Sequence, residues 1–508
     1  MTTGDFDEFD PPAEPTVRRP PRPRRRTLRR IPVVILVVGL LVAAIVFENS
    51  RDDDSGSIPG VVAANPTVSG ADDVSAAWFC AEGTAQPDGR ANETVVVANV
   101  GDDEARATIT VLPSADGQEP GSRTVTVEPG EQVRVPVLDI AEVPEQADPT
   151  GILRGPGVVV EVFGGRALVE HVIEGQDDFA VGPCTRDAGR RWYFAAGTTV
   201  RGAEQYLSLL NPFQGDAIVD VQFVTDEGVQ NRVDLQALVV PRRSRITIPV
   251  QNFERRRDRV ATMVSVRTGR IVAEQSNAFT TENEVEHGLS LSLGAPARSR
   301  VWMLPSVAGG PGANQALQVA NFSPAATDVE VSVHGAPDIV DPETVPVPGR
   351  SVVNIDLANR LTVDIPATVV LRSTGRTPVV TEQAAFFDTS TEAPGVAATL
   401  GTSTAARRWA FAIGRLEPES LASLVVYNPG STPTTVRLVT TVGDRRDVAT
   451  EEDVDGGDVV VLDLTELEID PEQPMEVSAG DPVVVGRIID GPVGRSISLG
   501  IVDEPVAR

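Results

Sequence analysis

Few residues in this chain of 508 are of types that do chemistry, and their spacing argues against most of it. All 44 basic residues are Arg. The absence of Lys removes the phosphate-loop lysine, the Schiff base with a carbonyl substrate and the lysine general base. Only His171, His287 and His334 offer imidazole, and none lies within metal-ligand spacing of another His or of a Cys. No G-x-S-x-G turn and no dinucleotide fingerprint occurs. A Glu recurs at equivalent places as Glu170, Glu274 and Glu382, but the fourth place holds Arg487. A change of charge sign among copies of one design argues against a shared catalytic carboxylate and for pairing with a neighbouring strand or plain exposure. The chain therefore reads as non-enzymatic, with no catalytic, metal or cofactor-binding residue and no cofactor. A hydrolase built on a carboxylate pair, which needs no motif, is the enzymatic alternative.

Two further sets of residues invite a role. Cys80 and Cys184 are the only cysteines, and an exported chain is expected to join them in a structural disulfide. Closing a loop of that size contributes about 4–5 kcal/mol in the chain-entropy model. The net charge is −28, yet residues 192–301 carry 13 Arg against 12 acidic residues. Arg242, Arg243, Arg245, Arg255, Arg256, Arg257 and Arg259 make that stretch the candidate contact for an anionic envelope polymer or an acidic partner, because guanidinium forks grip carboxylates and phosphates. An ordinary soluble surface is the alternative. No nucleic-acid partner is expected of so acidic an exported chain.

The elements that must position these residues are repeated. All four Trp of the chain, Trp78, Trp192, Trp302 and Trp409, open a similar stretch, as in Trp192-Tyr-Phe-Ala-Ala-Gly197. Each is followed 19 to 21 residues later by an Asn: Asn99, Asn211, Asn321 and Asn428. Four equivalent units of about 110 residues follow from this period. Short alternating runs rich in Val and Thr, with 40 Pro and 44 Gly as punctuation, predict an all-β chain. About seven strands per unit fit an immunoglobulin-like sandwich better than a propeller blade. Gly164-Gly165, Thr268-Gly269, Thr374-Gly375 and Ala479-Gly480 read as tight hairpins. The four Trp read as core anchors, with a carbohydrate-stacking platform as the alternative. The Asn residues read as turn caps.

Ahead of the units, residues 1–30 form a Pro- and Arg-rich tail expected to be disordered and cytoplasmic. Residues 31–47 are free of charge and read as a single transmembrane signal anchor, short for a span. Eight Arg before it and acidic residues after it place the N-terminus in the cytoplasm and the rest outside. A cleaved signal peptide is the alternative. Residues 48–77 read as a flexible stalk. The four units then run over 78–188, 189–298, 299–405 and 406–508.

The tail, the anchor and the tandem W-x-F-x-x-G and L-x-L-x-N-P stretches resemble an uncharacterised actinobacterial family of membrane-anchored secreted proteins. They are also similar to tandem repeats beginning Tyr-Phe-Ala-Glu-Gly in bacterial surface proteins. The likeness runs from about Trp78 to Val502, and Trp302-Met-Leu-Pro-Ser departs from its pattern. The family has no assigned catalytic residue to carry over. The resulting expectation is a binding or scaffolding protein of the cell envelope, its partners the membrane and an envelope polymer or membrane protein. The alternative is an accessory subunit of an envelope-assembly complex.

Overall fold

The computed structural model describes residues 65–503, apart from 71–72, 115–117, 176–177, 281–286, 308–311, 336–340, 358–359, 362–365, 388–394, 418, 443–444 and 492–493. The tail 1–30 and the apolar stretch 31–47 lie outside the described residues. Among those described, the chain is all-β, its helices limited to single turns such as Val250–Phe253, and no helix is long and apolar enough to cross a membrane. The chain from Val62 onward forms one compact unit. The expected stalk is thus shorter than 48–77: Asn65, Pro66, Val68 and Ser69 are buried, and the first strand begins at Ser75.

Unit 1 shows the pattern. One antiparallel sheet has the order Ser75–Cys80, Gly157–Phe163, Ala105–Leu112, Gly121–Val127. The other has the order Phe179–Pro183, Ala167–Glu174, Asn92–Asn99, Gln132–Pro136. Unit 3 repeats both orders. Alternation in Ala105–Leu112 buries Ala105, Ala107, Ile109 and Val111 against Val95, Val97 and Val160, so the core of unit 1 lies between its two sheets. In each unit we call the Trp-bearing strand the opening strand, the strand holding Glu or Arg487 the Glu strand, and the strand after it the closing strand.

The expected hairpins are not hairpins. The strands flanking Gly164-Gly165 belong to different sheets, as do Val260–Thr268 and Val272–Thr280 around Gly269. These turns carry the chain from one sheet to the other. Gly164, Gly165 and Gly269 have positive φ (71°, 65° and 82°), which glycine adopts freely. In unit 4 even the turn is lost: one strand, Met475–Gly491, pairs with Ala406–Phe411 in its first part and with Leu421–Tyr427 in its second.

The repeated Trp and Asn are structural. All four Trp are essentially inaccessible, which excludes a stacking platform. Trp192, Trp302 and Trp409 donate their indole N–H to the carbonyls of Ile271, Val379 and Val483. Trp78 has no such partner: the equivalent carbonyl, that of Ala167, accepts from Ser69 of the leading segment instead. Every Asn makes the same turn. Its amide donates to the carbonyl four residues on (Asp103, Gly215, Ala325, Thr432), and its oxygen accepts from the N–H two residues on. A second donated bond reaches Val127, Val240, Val347 or Val454. Asn211→Ala is expected to cost about 2–3 kcal/mol in urea unfolding, because it strands buried backbone groups; a change below about 0.5 kcal/mol contradicts this role.

The units close on one another. Phe179–Pro183 packs beside His287–Leu293, that strand beside Gly395–Leu400, that one beside Gly494–Leu499, and the last beside Phe179–Pro183 again. Four closing strands thus surround a common axis. Leading residues seal the ring where unit 1 meets unit 4: Val68 and Val502 exchange backbone bonds with each other's strands, and Val68, Ile501 and Val502 share the core that joins these units. Unit 2 is also tied to unit 1 by Leu153–Gly155, which extends the unit 2 sheet at Ser244–Pro249.

Candidate functional site

The recurring Glu holds the ring together. Glu274 of unit 2 accepts the N–H groups of Ala81 and Glu82 in the opening stretch of unit 1 (2.7 and 2.6 Å). Glu382 of unit 3 accepts those of Ala195 and Ala196 in unit 2. Glu170 of unit 1 accepts those of Ala412 and Ile413 in unit 4 (3.1 and 3.0 Å). In each case the donors stand three and four residues after the Trp. The remaining seam has no such donor pair, because the third residue after Trp302 is Pro305, which has no N–H. Its opening strand bulges between Pro305 and Val307, with Ser306 at φ 77°. The facing position is Arg487, and its guanidinium grips Glu170 with both terminal nitrogens (3.1 and 2.9 Å). The two departures from the repeat, Pro305 and Arg487, therefore meet at one seam: Gly486, beside Arg487, lies against Pro305 and Ser306. All four residues are fully buried.

The seam between units 1 and 2 holds a cluster of ionisable groups. Arg90 meets Glu82 at 2.7 Å and Glu145 at 3.2 Å. Arg245 meets Glu145 at 2.5 Å and donates to the Gly83 carbonyl. His171 Nδ1 lies 3.0 Å from Glu93, and its Nε2 lies 3.7 Å from Glu274. Burial disfavours the charged imidazole, but the carboxylates of Glu274 and Glu93 outweigh it and raise its pKa to about 9. Burial pushes Glu274 up to about 7, against the pull of His171 and the two N–H donors. Glu82 moves the other way: Arg90 and Arg245 overcome its desolvation and lower it. The ligand atoms of Cys80, His171 and Cys184 come within 4.8 Å of one another, a closeness sequence spacing hides because strand pairing creates it. The sulfurs are joined in a disulfide, so no thiolate is offered to a metal. Glu82, Glu93, His171 and Glu274 are shut from solvent, and the set welds two units.

The seven arginines of unit 2 are not one patch. Arg245 is buried in the seam just described, a correction to its reading as a surface contact. It alternates with Ile246 and Ile248 on strand Ser244–Pro249, and its guanidinium points to Glu145 and the Gly83 carbonyl of unit 1. Arg257 is paired with Glu227 and lies 3.7 Å from Glu254. Arg259 is half-buried. Arg242 and Arg243 sit at one end of strand Ser244–Pro249, and Arg255 and Arg256 follow the single-turn helix at its other end. Arg255 and Arg256 are exposed and form no ion pair among the described residues. They line an open cleft of about 410 Å3 with Thr199, Val200, Ala203, Glu204 and Ala278.

That cleft has a definite place on the ring. Asp178 marks one end of the axis: it accepts the N–H groups of Phe179 and Leu289 (both 2.6 Å) and lies against Gly395 and Gly494. The other end holds a cavity of about 40 Å3 lined by the far ends of the closing strands and by Asn65 and Pro66. Ala203 pairs with Phe279, and Phe279 with Gly288, so the cleft lies toward the Asp178 end. Leading residue Asn65 is at the opposite end.

Residues 178–382 match the profile of a family of unknown function (DUF5719). The matched stretch takes in the last strand of unit 1, all of unit 2 with its cleft, and unit 3 as far as Glu382. No curated protein matches the chain. Among solved structures, "Thermotoga maritima 1070" is 16% identical over 20% of this chain and 93% of its own, with a TM-score of 0.18. A tetra-tandem repeat from the extending region of a large adhesion protein is 13% identical over 84% of this chain and 99% of its own, at 0.11. Escherichia coli alpha-2-macroglobulin activated by porcine elastase is 11% identical over 85% of this chain and 44% of its own, at 0.10. Likenesses at these scores carry no weight for the fold or the ligand.

Proposed function

We propose that this chain is a non-enzymatic scaffold of the cell envelope: a ring of four immunoglobulin-like sandwiches, tethered by the span 31–47, that binds an anionic polymer through unit 2. The sandwiches keep the inner strand pairings of that fold, while the first and seventh strands of each unit have exchanged sheets. The observation that carries the reading is the cleft with two guanidiniums, Arg255 and Arg256, that form no ion pair among the described residues, on a loop fixed by its backbone. The Arg256 N–H donates to the Thr199 carbonyl and the Thr199 N–H to the Arg257 carbonyl, each at 2.9 Å. Arg256 is held at φ 55°, a conformation that costs a non-glycine residue energy and gathers at working sites. The cleft and Asn65 lie at opposite ends of the ring axis.

The test uses the full-length chain in mild detergent on purified anionic wall polymers at low and high salt. Binding is expected to weaken with salt, and the pair Arg255→Glu and Arg256→Glu is expected to weaken it at least about tenfold, since each charge-assisted contact is worth more than about 1.4 kcal/mol. Arg257 is left in place because its pairs with Glu227 and Glu254 fix the loop. Binding by neither form refutes the polymer contact. A stoichiometric membrane protein that co-purifies with the chain favours the accessory-subunit reading instead.

A further inference from the structure

The cleft is more particular than a basic patch, and this step rests on the reading above. We propose that it takes a zwitterionic unit, a short peptide or amino acid bearing a free ammonium and a free carboxylate. Three features point to it. Arg255 and Arg256 supply two cationic forks that form no ion pair among the described residues. Glu204 is exposed in the same cleft and forms no ion pair among the described residues. Its carboxylate is instead positioned by the hydroxyl of Tyr206 (2.7 Å), which burial and Glu204 itself keep protonated and therefore donating. Tyr206 is in turn held under the Arg90 guanidinium, 4.0 Å from its ring centre, so the acid is anchored to the seam of units 1 and 2. Val200, Ala203 and Ala278 line the same cleft and offer small apolar surface suited to a methyl-sized side chain. A site for a simple polyanion gains nothing from Glu204, which repels it; a ligand with an ammonium beside its anion uses both signs. The volume of about 410 Å3 lies in the range of small-ligand sites.

The experiment is calorimetric titration of the full-length protein in detergent with four probes: alanyl-alanine with both ends free, its N-acetyl form, its C-terminal amide, and inorganic phosphate. The free dipeptide is expected to bind at least about tenfold more tightly than either blocked form, the loss of one charged contact. Glu204→Gln should bring the free dipeptide down to the N-acetyl form while leaving the N-acetyl form unchanged or improved. Arg255→Gln with Arg256→Gln should abolish binding of both. These side chains are exposed, so unchanged thermal unfolding of the variants shows that the fold is intact. Equal binding of the free and N-acetyl dipeptides, or indifference to Glu204→Gln, overturns the zwitterion. If the anionic polymer still binds through the two arginines, the polymer reading survives that failure. If no dipeptide and no polymer binds, both fall.

Discussion

Arg487→Ala is expected to destabilise the ring by about 3–5 kcal/mol, the range for breaking a fully buried ion pair. The guanidinium has no exposed surface and spends its nitrogens on Glu170, the Ile413 carbonyl and the Ser498 hydroxyl (3.0 Å). Removing it leaves Glu170 with its two N–H donors, Ala412 and Ile413, but with no opposite charge, where burial makes an unpaired carboxylate costly. The measurement is equilibrium urea unfolding followed by fluorescence of the four buried Trp. A second variant separates the pair from the cavity it leaves: Glu170→Gln with Arg487→Met removes both charges and should recover part of the loss, because a neutral pair carries no desolvated charge. A loss below about 1 kcal/mol for Arg487→Ala, or no recovery in the double variant, refutes the account of this seam.

The residues that make this seam were visible in the sequence, but their relation was not. Pro305 and Arg487 each stand out as departures from the repeat. What the sequence cannot state is that the Glu strand of one unit docks on the opening stretch of the unit before it. That contact spans 182 residues for Pro305 and Arg487 and needs the ring to exist. The Trp and Asn roles were legible because each acts inside its own unit, at a fixed spacing. The false hairpins have a similar cause. A glycine turn between two apolar runs fits a hairpin and a crossing between sheets equally well, and only the pairing of the flanking strands decides. Arg245 was misread because a strand with both faces covered looks, in sequence, like one with a solvated face. The cleft was half legible: the run Arg255 to Arg259 marked the loop, while Glu204 and the fixing of the loop by Thr199 depend on contacts 50 or more residues apart.

Rising pH should weaken the ring, and the sign follows from which state holds the protons. Burial lifts Glu382 to about 8, against the pull of the Ala196 and Ala195 N–H groups, and lifts Asp178 to about 8, with Phe179 and Leu289 as the opposing donors. Among the described residues no cation pairs with Glu382. In the unfolded chain both carboxyls lose their protons near the ordinary carboxylate range. Between there and pH 8 the folded state binds more protons than the unfolded one, so stability falls as pH rises. His171 adds to the same trend: its folded value of about 9 exceeds the unfolded one near 6.5, so its contribution is complete below pH 6.5 and is lost as pH passes 9. Glu82, held low by Arg90, acts in the opposite direction, but only at acid pH. Thermal unfolding is therefore expected at lower temperature at pH 9 than at pH 6, with each raised group contributing a slope of up to about 1.4 kcal/mol per pH unit inside its window. Glu382→Gln keeps a carbonyl oxygen for the Ala195 and Ala196 donors and removes the titration. Its melting temperature should lie close to that of the natural protein at pH 6 and above it at pH 9. A natural protein that is equally stable at both values, or a variant that tracks it across the range, would show that these buried acids do not set the pH response of the seams.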